Sequence, residues 1–261
     1  MYKALLLIVV LFSCGSSIED SNHQALQVSG DPIPFIRISS STKIKDEPKT
    51  AAIMQIFMKD SLLFSSRIGI EYRGAVSQMF YEKKSYGIEL WDETNKGISG
   101  SLLNLPREED WILHGPYADK SLIRNVIAYQ VSNNIGKYAP KTQFVEVEIN
   151  GDFKGLYVLM EKIKRGKERV NVSKLSAKTS ASDSISGGYI LKIDKTVGSG
   201  FSNQDDYNKS NAITSRYDQS GKISKNSKIH ILYDYPKSEN ISESQKDYIN
   251  NYVHLFEKAL A

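Results

Sequence analysis

An α+β fold, with a mixed or antiparallel sheet and packed helices, is predicted by three observations. Residues 67–72 and 84–90 alternate apolar and polar, Asn150-Gly151 joins two apolar runs, and apolar residues recur at helical spacing over 122–131 and 248–259. Composition agrees with a folded chain. Of 261 residues, 40% are hydrophobic, and 15 Tyr with 9 Phe supply enough apolar surface for a core, which excludes bulk disorder. The 34 cationic and 30 anionic side chains are interspersed and leave a net charge of +4, too diffuse for a dedicated nucleic-acid binder.

Taken in order, the chain opens with Lys3 and the apolar run 4–12, then Ser13-Cys14-Gly15. Such a run makes about 14 Å of helix, half a bilayer, so it reads as a signal core and not a spanning helix. Cys14, the only cysteine, follows it directly and excludes any intramolecular disulfide. The segment 1–14 resembles a bacterial lipoprotein signal, which implies lipidation of Cys14, an exported protein and a membrane anchor in the periplasm or at the cell surface. The alternative is a plain secretory signal with an incidental cysteine. Residues 15–31 are polar and read as a tether.

The domain then runs from residue 32 to 261. Strands are expected at 33–38 and 52–58. In Arg67 to Tyr72, Ile68, Ile70 and Tyr72 share a face; in the next strand Lys84, Tyr86, Ile88 and Leu90 do so. The connection from Arg73 to Gln78 is small and reads as flexible. A largely buried helix is expected from Asp119 as N-cap, with Gly136 ending it. Two strands, 144–149 and 152–160, flank Asn150-Gly151, whose residues suit the positive φ values of a type I′ turn. Segments 173–186 and 198–228 read as surface loops around a strand at 189–193. Ser242 and Gln245 form a capping box that opens a terminal helix with Tyr248, Ile249, Tyr252, Leu255, Phe256 and Ala259 on one face. That face ends at the terminus and is expected to need something further to pack on.

Common catalytic motifs fail. Gly136, Gly166 and Gly221 each precede a lysine, but no Ser or Thr follows, so no P-loop is present. Gly97-Ile98-Ser99-Gly100 has the wrong spacing for a nucleophile elbow. His23, His114, His230 and His254 are scattered, with no pair at metal-ligand spacing.

One succession of segments stands out: 73–86, 110–125 with Asp110-Trp111-Ile112-Leu113-His114-Gly115-Pro116-Tyr117, Tyr138-Ala139-Pro140, 150–164 with Leu159-Met160-Glu161-Lys162, and 187–194. Over residues 33–261 it resembles the CotH family, atypical secreted protein kinases. The resemblance implies an atypical protein-kinase-like fold, phosphoryl transfer from ATP with Mg2+ to Ser or Thr, and a secreted or surface protein as substrate. In the family the catalytic and metal-binding aspartates lie further along, in an Asn-x-Asp-like and a Gly-Pro-x-Trp-Asp-x-Asp segment. Here the only tryptophans are Trp91 and Trp111, and Trp91-Asp92-Glu93 is a poor copy. The expectation is a chain truncated in its C-terminal lobe, without Mg2+ ligands or catalytic residues of its own, and inactive as it stands. The other reading is a non-enzymatic surface lipoprotein that binds envelope proteins or glycans.

Candidate nucleotide-binding residues follow. Arg73 and Ser77 lie in the loop placed to cover phosphates, and Lys84 reaches under it while Lys83 points away, unless both are solvated strand-end lysines. Tyr157 offers a face to adenine or belongs to the core. Glu161 pairs a lysine, lies beside adenine or caps the sheet edge. Arg124 makes a phosphate contact or a structural ion pair. The basic run Lys162, Lys164, Arg165, Lys167 and Arg169 reads as a solvated face or an attractor of acidic partners.

Overall fold

The structure is a computed structural model that describes residues 32–176, 178, 185–194, 206–217, 221–223 and 229–260, with backbone only for Ala75 and Val76. The segments read as a signal (1–14, with Cys14) and a tether (15–31) lie outside the described residues. The compact unit begins at Ile33.

Seven strands close into a barrel: β1 (Phe35–Ser39), β2 (Thr50–Met58), β3 (Ser61–Arg73), β4 (Ser85–Trp91), β5 (Asp110–His114), β6 (Thr142–Ile149) and β7 (Asp152–Glu161), in the order β1-β2-β3-β4-β5-β7-β6. All pairings are antiparallel except β1 with β6, which is parallel and closes the barrel. Closure removes exposed edges, a gain that strand periodicity alone does not reveal. Period-2 alternation sends Ile36, Ile38, Met54, Ile56, Ile68, Ile70, Ile88, Leu90, Leu113 and Leu159 inward as one buried core.

The expected hairpin of residues 67–72 with 84–90 is β3 with β4, Ile70 opposite Ile88. Its connection is not simply flexible: it holds the short helix α1 (Ala75–Phe80). Asn150 (φ 53°) and Gly151 (φ 80°) make the β6–β7 turn as expected.

Helix α2 (Arg124–Asn134) starts later than expected, because Leu122 at φ 63° interrupts any helix begun at Asp119. Nor is it largely buried. Val126 and Tyr129 pack on Ile112, Val158 and Met160 outside the barrel, while Ile123, Ile127 and Val131 are exposed. One helix on one sheet face buries a single stripe, so a broad apolar face need not be covered.

Beyond the barrel, β8 (Ile190–Lys192), β10 (His230–Tyr235) and β9 (Ala212–Thr214) form a small antiparallel sheet. Strand β9 corrects the reading of 198–228 as loop throughout. Helix α3 (Glu243–Leu260) opens on the capping box: Ser242 N donates to Gln245 Oε1 (3.1 Å), and Gln245 N to Ser242 Oγ (3.4 Å). It buries Gln245, Ile249 and Val253, one step round from the expected face, leaving Tyr252, Leu255 and Phe256 exposed. No helix among the described residues is long and apolar enough to cross a membrane.

Candidate functional site: a cleft at the rim of the barrel

At one rim of the barrel, β3 ends in Arg73, β4 begins at Ser85 and β5 ends in His114. Register places Arg73 opposite Ser85, and Ser85 Oγ accepts from Gly115 N at 3.0 Å. The α1 segment on one side and residues 115–119 on the other enclose a cleft of about 330 Å³. It is lined by Arg73, Gly74, Ser77, His114, Asp119 and Asn125, and walled by Tyr81 and Tyr117.

Gly74 makes the entry to α1 possible. Its φ is 87°, and a Cβ there would stand 2.6 Å from Ser77 Oγ. Ser77 Oγ in turn donates to the Arg73 carbonyl at 2.9 Å. Asn125 Nδ2 lies 3.3 Å from His114 Nε2; with the amide as donor, the ring proton sits on Nδ1. Burial, then the Arg73 charge, hold the His114 pKa below the ordinary histidine value against the opposing pull of Asp119. The Arg73 guanidinium and the second N–H of the Asn125 amide therefore line a space beside a neutral imidazole, while the Ser77 hydroxyl proton is committed to the Arg73 carbonyl. That donor set suits an anion.

The predicted residues divide. Arg73 and Ser77 are in the cleft. Lys84 does reach under the loop, where its Nζ donates to the carbonyls of Gln78 (2.7 Å) and Tyr81 (2.6 Å) and pins α1 from below. Lys83 does not point away. Its Nζ donates to the Lys154 carbonyl (3.0 Å) and lies 4.5 Å from the Tyr157 ring centre, and burial lowers its pKa. Tyr157 is core, 1% exposed, with its hydroxyl donating to the Lys84 carbonyl at 2.9 Å. The tilted Tyr86 ring and Lys83 flank it, so an adenine face is not what this ring presents. Arg124 is exposed and 3.5 Å from Asp119, a surface ion pair at the cleft edge. Glu161 is at the far end of β7, fully buried against Arg169.

Asp119 accepts from Ser121 N (3.0 Å), Ser121 Oγ (2.6 Å) and Arg124 N (2.9 Å), so it secures the start of α2. The basic run is a solvated face only in part: Lys162 and Lys167 are exposed, and the other three are not. Lys164 Nζ is 3.1, 3.0 and 2.9 Å from carboxylates of Glu108, Glu109 and Asp110; Lys162 pairs with Asp110; Arg165 lies over Tyr235; Arg169 is buried.

These contacts decide how the chain would meet Mg2+. Among the described residues the cleft holds one carboxylate, Asp119, and both its oxygens are engaged. The three-carboxylate group Glu108, Glu109 and Asp110 is at the other end of β5 and is held by an ammonium. The cleft residues do not fit a magnesium site.

Reading the sequence by residue type missed His114, Asn125, Tyr81 and Tyr117. Tyr81 and Tyr117 stack at 5.0 Å, with an interplanar angle of 25°. The signal available was position: His114 closes an apolar strand and Gly115-Pro116 follows, which forces the chain out of the sheet.

Fold and cleft together describe a β-barrel module with a polar cleft at one rim. The family model described as CotH kinase protein matches residues 70–260, and the chain belongs to that family. It is also similar to inner spore coat protein H of Bacillus subtilis (strain 168), with 30% identity over 121 residues. That stretch is 46% of this chain and 29% of the relative's length.

Proposed function

We propose that this chain carries the nucleotide-binding part of a CotH-type protein kinase, and that the phosphates of ATP bind in the rim cleft. The observation that carries the reading is that Arg73 and Asn125 line one cleft under a helix-bearing loop that Lys84 pins in place. Phosphoryl transfer consists mostly of positioning and charge neutralisation, and donors of this kind supply part of both. The stacked pair Tyr81–Tyr117 in the cleft wall gives a base an aromatic neighbour.

The reading extends to an atypical kinase-like fold. With Asp119 engaged and no other carboxylate in the cleft, these residues bind ATP without the Mg2+ ligands that transfer needs. The substrate class is a secreted or surface protein. Export and a lipid anchor at Cys14 follow from the segment 1–14, and the spore-coat name of the relative supports export.

Calorimetry with ATP tests this. Saturable binding is expected, weakened about tenfold in Arg73→Ala by loss of one charge-assisted contact. Absence of heat from folded protein, or unchanged affinity in Arg73→Ala, contradicts it and favours a non-enzymatic binding module.

A further inference from the structure

On the outer face of the barrel, two glycines on adjacent strands leave the sheet bare where side chains would stand. Gly69 of β3 is covered by the Trp91 indole, which a Cβ at position 69 would overlap. Gly87 of β4 is opposite Glu71 of β3, and a Cβ at 87 would lie 2.9 Å from Glu71 Oε1. The indole and the carboxylate thus lie low on the sheet. With Glu47, Pro48 and Lys49 they line an open cleft of about 620 Å³.

Two carboxylates, Glu47 and Glu71, and one cation, Lys49, line this cleft. Lys49 turns toward Glu89 (2.6 Å) and Asp110 (3.9 Å). Among the described residues, no hydrogen bond or ion pair engages the Glu71 carboxylate. Burial raises the Glu71 pKa above its ordinary value against the pull of Lys49 and Lys162, with smaller pushes from Glu47 and Asp46. A cation delivered here would relieve that cost. The flat indole favours a planar cation, and a guanidinium both stacks on an aromatic face and pairs bidentately with a carboxylate.

We propose that the cleft of Trp91, Glu71 and Glu47 on the outer face of β3 and β4 binds an arginine side chain of a polypeptide partner. The site shares no side chain with the rim cleft and is independent of the nucleotide reading.

The probe is the peptide acetyl-Gly-Arg-Gly-amide, followed by the two indole N–H signals in NMR. Trp111 is fully buried and donates to the Glu108 carbonyl (3.1 Å), so it serves as the internal control. The Trp91 signal should move saturably and the Trp111 signal should not. The citrulline peptide, neutral but of the same shape, should bind at least tenfold more weakly, as should the arginine peptide to Glu71→Gln with its amide spectrum otherwise intact. A Trp91 signal that ignores the arginine peptide overturns the proposal. So does an equal response to the citrulline peptide, or a response to cellobiose but not arginine, which would make the cleft a sugar platform.

Discussion

Arg169 and Glu161 form an ion pair inside the mouth of the barrel opposite the rim cleft, with side chains 1% and 0% exposed. The Arg169 guanidinium lies 4.9 Å from the Trp111 ring centre. The second Glu161 oxygen accepts from Lys141 N (3.0 Å) and the Tyr138 hydroxyl (3.4 Å). Burial, then the Glu161 charge, push the Tyr138 hydroxyl well above its ordinary pKa. The pair ties the segment after β7 back into the barrel.

Removing one partner strands the other as a buried charge. Arg169→Ala should therefore cost about 3–5 kcal/mol in urea unfolding, and Arg169→Met with Glu161→Leu together should cost much less. A single-mutant loss below about 1 kcal/mol would show that the pair is solvated.

Lys164 is the hub of a second charge group. Burial opposes its charge, but hydrogen bonds to Asp110, Glu109 and Glu108 outweigh that and raise it above the usual lysine range. Burial likewise opposes charge on Asp110, and Lys162 and Lys164 outweigh it, so its carboxyl titrates below the usual range. A depressed carboxylate contributes stability that is present above its unfolded pKa, near pH 4, and is lost as pH falls through its folded value. Lys164→Met should cost about 1–3 kcal/mol at pH 7, with the deficit shrinking below pH 4. Paired urea melts at pH 7 and pH 3 check this; an equal deficit at both values would contradict it.

At the rim, α1 depends on Gly74 and Lys84. Gly74→Ala forces an L side chain to φ 87° and against Ser77 Oγ, a cost of about 1–2 kcal/mol. Lys84→Ala removes both tethers to the α1 segment. Hydrogen exchange should speed up in residues 75–81 in both variants and remain as in wild type across β1 and β2. Exchange unchanged in α1 would mean that the helix is held by other contacts.

The alternation of Ile68, Ile70 and Ile88, the Asn150-Gly151 turn and the Ser242–Gln245 box were legible in the sequence because each is a local signal. Closure of the barrel was not, since the parallel pairing of β1 with β6 joins segments more than a hundred residues apart. For the same reason Arg169 read as one more surface cation: its partner lies eight residues back, but the pocket that buries it is made by Trp111 of another strand. The site was half legible. Arg73 and Ser77 are in a loop whose role its position suggests, whereas His114 and Asn125 acquire meaning only when β5 ends beside β3's rim.

The central claim is that the rim cleft accepts phosphate, and the His114 imidazole reports on it directly. In the free protein, an NMR titration should give His114 a pKa below the ordinary 6.5. Saturating ATP should raise that value, because an anion beside the ring favours its protonated form. A His114 titration identical with and without bound ATP would place the nucleotide elsewhere.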